Sequence, residues 1–121
     1  MPTRALLLVD HGSRVAASNA QLVEVARLVE AELGDGTPVA HAHMELASPS
    51  IAEAVSTLAA RGVEEVVVVP YFLGPGRHAT ADVPRLAHEA SEGHPGLRVR
   101  VAPPLGVHRL LAQLVLVRSE E

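Results

Sequence analysis

The segment LLLVDHGSR (residues 6–14) runs apolar and then stops on an acid, a histidine, a glycine, a hydroxyl and an arginine. A second histidine closes LGPGRH (73–78), and Glu45 lies in the stretch PVAHAHMEL (38–46). Two imidazoles and a carboxylate (His11, His78 and Glu45) suit a divalent first-row metal and leave coordination positions open for a substrate. A neutral imidazole also accepts a proton near neutral pH. Arg14 and Arg77 flank the two histidines. They are either exposed surface arginines or partners for anionic groups through charge-assisted hydrogen bonds. Ser13, with the backbone N–H groups that open the next helix, offers a further anion contact. Asp10 either orients His11 from behind or ends its strand in solvent.

The chain has seven histidines. His41 and His43 share a strand face with Glu45, because side chains alternate with period 2. His43 is therefore a possible extra participant, and His41 lies further from the edge. His41 otherwise reads as an ordinary polar residue. So do His88 and His108 on expected helices and His94 in the turn-like EGHPG.

The elements that must position these residues follow from hydrophobic periodicity. Short apolar runs at 5–10, 38–46, 64–72 and 97–102 read as strands. Helical spacing marks 17–33, 48–62, 80–92 and 106–118. Ser48 is the expected cap of the second helix, with Pro49 at its first position and Gly62 at its exit. Phe72 reads as core packing at a strand end, while Tyr71 lies beside the expected crevice. In the last helix Val107, Leu110, Leu111 and Leu114 form the inward stripe. Val115, Leu116 and Val117 lie beyond it, as an interface or as packing within one chain.

Alternation of this kind predicts an α/β fold: one flavodoxin-like domain over residues 1–121 with a four-stranded parallel sheet and helices on both faces. The expected strand order is 2-1-3-4. His11, Glu45 and His78 then all fall on the carboxyl edge of the sheet. His11 and His78 face each other where the strand order reverses, which is where open α/β sheets bind ligands.

Composition sets outer bounds. The 121 residues are 48% hydrophobic but only 2% aromatic, and the formal net charge is −4. Neither stacking on nucleic-acid bases nor attraction to an anionic membrane is expected. No apolar stretch is long enough to span a bilayer. The absence of cysteine excludes disulfides and thiolate metal sites and fits a cytoplasmic protein. The N-terminus lacks the layout of a signal peptide.

Three motifs in order resemble the small sirohydrochlorin chelatases of the CbiX/SirB type, within the class II chelatases. VDHGSRVAASNAQL is similar to their HGSR signature followed by Asn, here His11, Gly12, Ser13, Arg14 and Asn19. MELASPSIAEAV is similar to their Glu-Leu-Ala-x-Pro-Ser-Ile segment, and VVVVPYFLGPGRHATADVP to their strand-3 segment. The resemblance implies a chelatase-like fold and insertion of Co²⁺, Fe²⁺ or Ni²⁺ into sirohydrochlorin, a reduced tetrapyrrole with eight carboxylates. The metal is then a substrate, no permanently bound cofactor is expected, and the working unit is a homodimer. His11 and His78 match the family's two active-site histidines, and Glu45 its acidic partner. The histidine-rich tail and cysteine-bound cluster of some relatives are missing.

Other readings of the same residues are a non-catalytic metal-delivery protein and a histidine phosphatase. The second is opposed by Asp10, a carboxylate where such enzymes place arginine. A flavin-binding flavodoxin relative is opposed by the scarcity of aromatics.

Overall fold

Seven residues, RALLLVD, form the central strand β1 (Arg4–Asp10); Ala5, Leu7, Leu8 and Val9 are buried against the two faces of the sheet, and Leu6 is half-buried. A computed structural model describes residues 3–74 and 76–121, with the side chains of His78 and Ala79 outside the described set. Strands β2 (Val39–His43), β3 (Glu65–Pro70) and β4 (Arg98–Val101) complete a parallel sheet in the order β2-β1-β3-β4. That is the predicted order, and it puts the switch point between β1 and β3.

Helices α1 (Ala16–Leu33), α2 (Ile51–Ala60), α3 (Val83–Glu92) and α4 (Arg109–Ser119) alternate with the strands. A π-helical turn, His78–Asp82, leads into α3. The two faces of the sheet carry separate cores, because successive strand residues point to opposite sides. Ala5, Leu7, Val9, Val66 and Val68 pack with α2 and α3, with Phe72 at the margin as expected. Leu8 packs under Leu22 and Ala26 of α1, with Tyr71 alongside.

Three boundaries differ from the sequence reading. First, β2 ends at His43 rather than at residue 46. Its path turns there, and Leu46 adopts a left-handed φ of 70°. Second, Ser50 caps α2, not Ser48. The His43 N–H donates to the Pro49 carbonyl at 2.9 Å, so the chain runs beside β2 before it can become helical. Ser50 and Glu53 form a reciprocal capping box: Glu53 N–H donates to Ser50 Oγ at 3.1 Å, and Ser50 N–H to Glu53 Oε1 at 2.8 Å. Ser50→Ala is expected to lower stability by about 1 kcal/mol. Urea denaturation reads this directly, and an unmoved midpoint would mean the cap contributes nothing.

The third difference is the last helix. It starts at Arg109, and His108 caps it by accepting the Leu110 N–H at Nδ1. Its expected inward stripe is not inward. No residue of α4 is buried, and Val107 before it is fully exposed. The sheet explains why. Val99 and Val101 point toward α2 and α3, so alternation turns Arg98 and Arg100 to the other face. Arg100 lies 3.6 Å from Glu65 there. The face that a last helix would cover is charged along β4 and gives an apolar helix little to dock on.

Candidate active site

Strand β1 ends at Asp10, and its next residue, His11, sits on the carboxyl rim of the sheet. Two backbone bonds carry the β1–β2 pairing past both strands. The Met44 N–H donates to the Asp10 carbonyl at 3.0 Å, and the Glu45 N–H to the His11 carbonyl at 3.2 Å. Glu45 thus lies two residues beyond β2, yet still beside His11. His11 Nε2 is 3.0 Å from Glu45 Oε1, and His11 Nδ1 is 3.3 Å from the Gly12 carbonyl. Both side chains are substantially exposed, at 40% for His11 and 56% for Glu45. The pair therefore stands on an open rim that a large flat molecule can approach.

Gly12 makes this closeness possible. Its φ is +94°, and a Cβ built on it would lie 1.8 Å from the Glu45 carbonyl oxygen. Only a residue without a side chain lets the two strand exits touch.

Next in the chain, the loop folds on itself. Asn19 accepts the Ser13 N–H at Oδ1 (3.0 Å) and donates from Nδ2 to the Ser13 carbonyl (2.7 Å). The Ser13 hydroxyl accepts the Val15 N–H at 3.0 Å, which leaves its own proton to donate. Asn19 is a loop-building residue that spacing alone did not single out, although it stands at the end of the HGSR motif. Arg14 and Arg77 are exposed, and among the described residues neither has an ion-pair partner.

Asp10 does not orient His11. Its Oδ1 lies 2.6 Å from His43 Nδ1. An ionised carboxylate can only accept, so Nδ1 carries the proton. His43 is 1% exposed, which removes it as a direct contact for a metal or substrate. His41 meets the His43 ring edge-on, with centroids 5.8 Å apart. Burial holds the His41 imidazole below its ordinary pKa, helped by the neighbouring His43, with Asp10 acting the other way.

The predicted third ligand, His78, opens the π-helical turn after β3, and its side chain lies outside the described residues. Among the described residues no group of three or more histidine, cysteine, aspartate or glutamate side chains is poised around one metal position. The structure brings His11 and Glu45 together directly. It diverts Asp10 to His43 and keeps Ser13 within the loop.

The β2-β1-β3-β4 parallel sheet with His11 and Glu45 on its open carboxyl rim is the chelatase-like α/β arrangement expected from the sequence. The CbiX family model matches residues 5–121, and the chain belongs to the CbiX family. The chloroplastic sirohydrochlorin ferrochelatase of Arabidopsis thaliana is 41% identical over 111 residues, covering 91% of this chain and 48% of that protein. A crystal structure of a CbiX protein from Marinobacter aquaeolei VT8 superposes with a TM-score of 0.79 at 33% identity, covering 97% of this chain and 96% of that one. SirB from Bacillus subtilis subspecies spizizenii, in complex with cobalt, gives 0.80 at 28% identity, covering 98% of this chain and 50% of that one. The chain spans about half the length of the Arabidopsis and Bacillus relatives.

Proposed function

We propose that this protein inserts a divalent metal, Co²⁺, Fe²⁺ or Ni²⁺, into sirohydrochlorin at the rim that carries His11 and Glu45, with His78 as a further ligand. The observation that carries this reading is the His11–Glu45 pair, 3.0 Å apart and open to solvent on the ligand edge of the sheet. Membership in the CbiX family supports it, as do relatives named for iron and cobalt insertion.

The geometry gives the pair a defined task. In the metal-free protein a proton bridges His11 Nε2 and Glu45 Oε1. A divalent ion displaces that proton to solvent and takes the imidazole nitrogen and a carboxylate oxygen as ligands. Insertion must then remove two pyrrole N–H protons as the ion moves to the ring centre. The released imidazole and carboxylate are correctly placed to take them. His78 supplies the second imidazole. Arg14, Arg77 and the Ser13 hydroxyl face the substrate's peripheral carboxylates. The exchange draws on metal and a polycarboxylate free in water, which is consistent with a cytoplasmic enzyme. Among the described residues no helix is long and apolar enough to cross a membrane.

The test is anaerobic incubation of the protein with sirohydrochlorin and each metal in turn, following the tetrapyrrole absorption spectrum. Acceleration over a protein-free control is expected with at least one of them. Tight metal binding with no acceleration for any metal would replace this reading by the metal-delivery alternative.

The working unit in this reading is a homodimer. Helix α4 leaves Leu110, Leu114, Val115, Leu116 and Val117 exposed. It borders a cleft of about 510 Å³ walled by Pro103, Pro104, Leu105 and Leu111. A second copy covers this surface and closes the open rim over a wide macrocycle. The double variant Leu110→Glu/Leu114→Glu places two charges on one helical face. It is expected to sediment as a monomer with an unchanged circular dichroism spectrum. A wild-type protein that is already monomeric at working concentration would remove the dimer.

A further inference from the structure

We infer that Asp10 and His43 are a positioning pair, whose buried hydrogen bond ties the ends of β1 and β2 together and sets the spacing of His11 and Glu45. The inference rests on the reading of His11 and Glu45 as metal ligands and adds two residues that act on them without touching the metal.

Asp10 and His43 face each other in the parallel register, as the last pair of the β1–β2 ladder. Their hydrogen bond is 2.6 Å long, with the His43 side chain 2% and the Asp10 side chain 21% exposed. His43 is the only buried polar or charged residue among those described. An imidazole in that position is costly unless it is partnered. A buried ion pair is also weak support for stability, since apolar residues of the same volume serve as well. Its place in the fold points instead to geometry. Each partner sits just upstream of the functional residue at its own strand exit: Asp10 one residue before His11, and His43 two residues before Glu45.

The contacts beyond the pair transmit its position. The Met44 N–H bonds the Asp10 carbonyl and the Glu45 N–H bonds the His11 carbonyl. A Cβ on Gly12 would lie 3.2 Å from His43 Cβ as well as against the Glu45 carbonyl. The His43 side chain is thus part of the floor on which the His11–Gly12 turn rests. The pair also occupies Asp10. The carboxylate nearest His11 in sequence is held by His43, and Glu45 is left as the acid beside His11 Nε2. Groups hydrogen-bonded directly to a ligand typically change metal affinity by about 10–100-fold; this pair acts one step further back, through the backbone, so the lower end, about tenfold, is the expected effect.

The test uses Asp10→Ala, Asp10→Asn and His43→Leu in the full chain, with two readouts. The first needs no metal: amide hydrogen exchange at Met44 and Glu45, referenced to core amides of Leu7 and Val9. The second is the affinity and visible absorption band of Co²⁺ alone. Asp10→Ala and His43→Leu are expected to speed exchange at Met44 and Glu45 at least tenfold over the core amides. Both are also expected to weaken Co²⁺ about tenfold. Asp10→Asn retains an acceptor for His43 Nδ1–H and is expected to restore most of both, with a loss of about threefold. A pair that served stability alone would shift all amides together and leave the cobalt band in place. Unchanged relative exchange in Asp10→Ala and His43→Leu overturns the inference. If neither folds, Asp10→Asn decides: exchange at Met44 and Glu45 about threefold faster than in wild type, relative to Leu7 and Val9, is expected, and a ratio indistinguishable from wild type overturns the inference. Altered exchange with no Co²⁺ binding even in wild type would sink the ligand assignment while leaving the positioning role standing.

Discussion

Gly12→Ala is expected to abolish metal insertion and to lower the stability of the whole chain. Two separate costs add. A residue with a side chain at φ +94° is strained by about 1–3 kcal/mol. The new methyl would also stand 1.8 Å from the Glu45 carbonyl oxygen and 3.0 Å from its carbon. Those are backbone atoms, so no side chain can swing aside. The strand exits must move apart, an overpacking cost of about 1–3 kcal/mol. The sum, about 2–6 kcal/mol, is a large share of the stability of a small domain. The shift also separates His11 from Glu45, so activity falls even in the molecules that remain folded. Denaturant unfolding and the insertion assay read the two effects. Wild-type stability in Gly12→Ala would mean the exits of β1 and β2 are not in contact.

His11→Ala is expected to act the opposite way, with a large loss of activity and almost none of stability. The imidazole is 40% exposed and packs into no core. Its removal should therefore change unfolding free energy by about 0.5 kcal/mol or less. Its chemistry is harder to replace. A positioned group that transfers protons contributes about 10²–10⁴-fold, and the same ring supplies a metal ligand. A loss of at least about 10²-fold in insertion rate is expected, with the melting temperature unchanged. A His11→Ala enzyme within threefold of wild type would show that the metal reaches the tetrapyrrole elsewhere.

Much of this was legible in the residues. The four strands are marked by apolar runs, and their alternation with helices points to a flavodoxin-like parallel sheet in the order 2-1-3-4. That order alone brought His11 and Glu45 to one rim. What was hidden depended on register. Asp10 and His43 meet because β1 and β2 pair Asp10 with His43, and no spacing within one segment reveals an offset between two. The start of α2 moves from Ser48 to Ser50 for a separate reason, the bond from the His43 N–H to the Pro49 carbonyl. Here the sequence did hold a signal, since Ser50 and Glu53 stand at capping-box spacing. Helix α4 misled for another reason. Its apolar residues look like a core stripe, but the sheet face beyond β3 carries Arg98 and Arg100. Periodicity shows that a helix has an apolar face and is silent on what covers it.

Whether His11 holds the metal is best read from X-ray absorption at the cobalt edge of the Co²⁺-loaded protein, with wild type beside His11→Ala and Glu45→Gln. The expected wild-type spectrum shows imidazole scattering, which weakens in His11→Ala and persists in Glu45→Gln. A hydrated ion without imidazole ligands, or imidazole scattering untouched by His11→Ala, would contradict the assignment of this rim as the place where the metal waits for the tetrapyrrole.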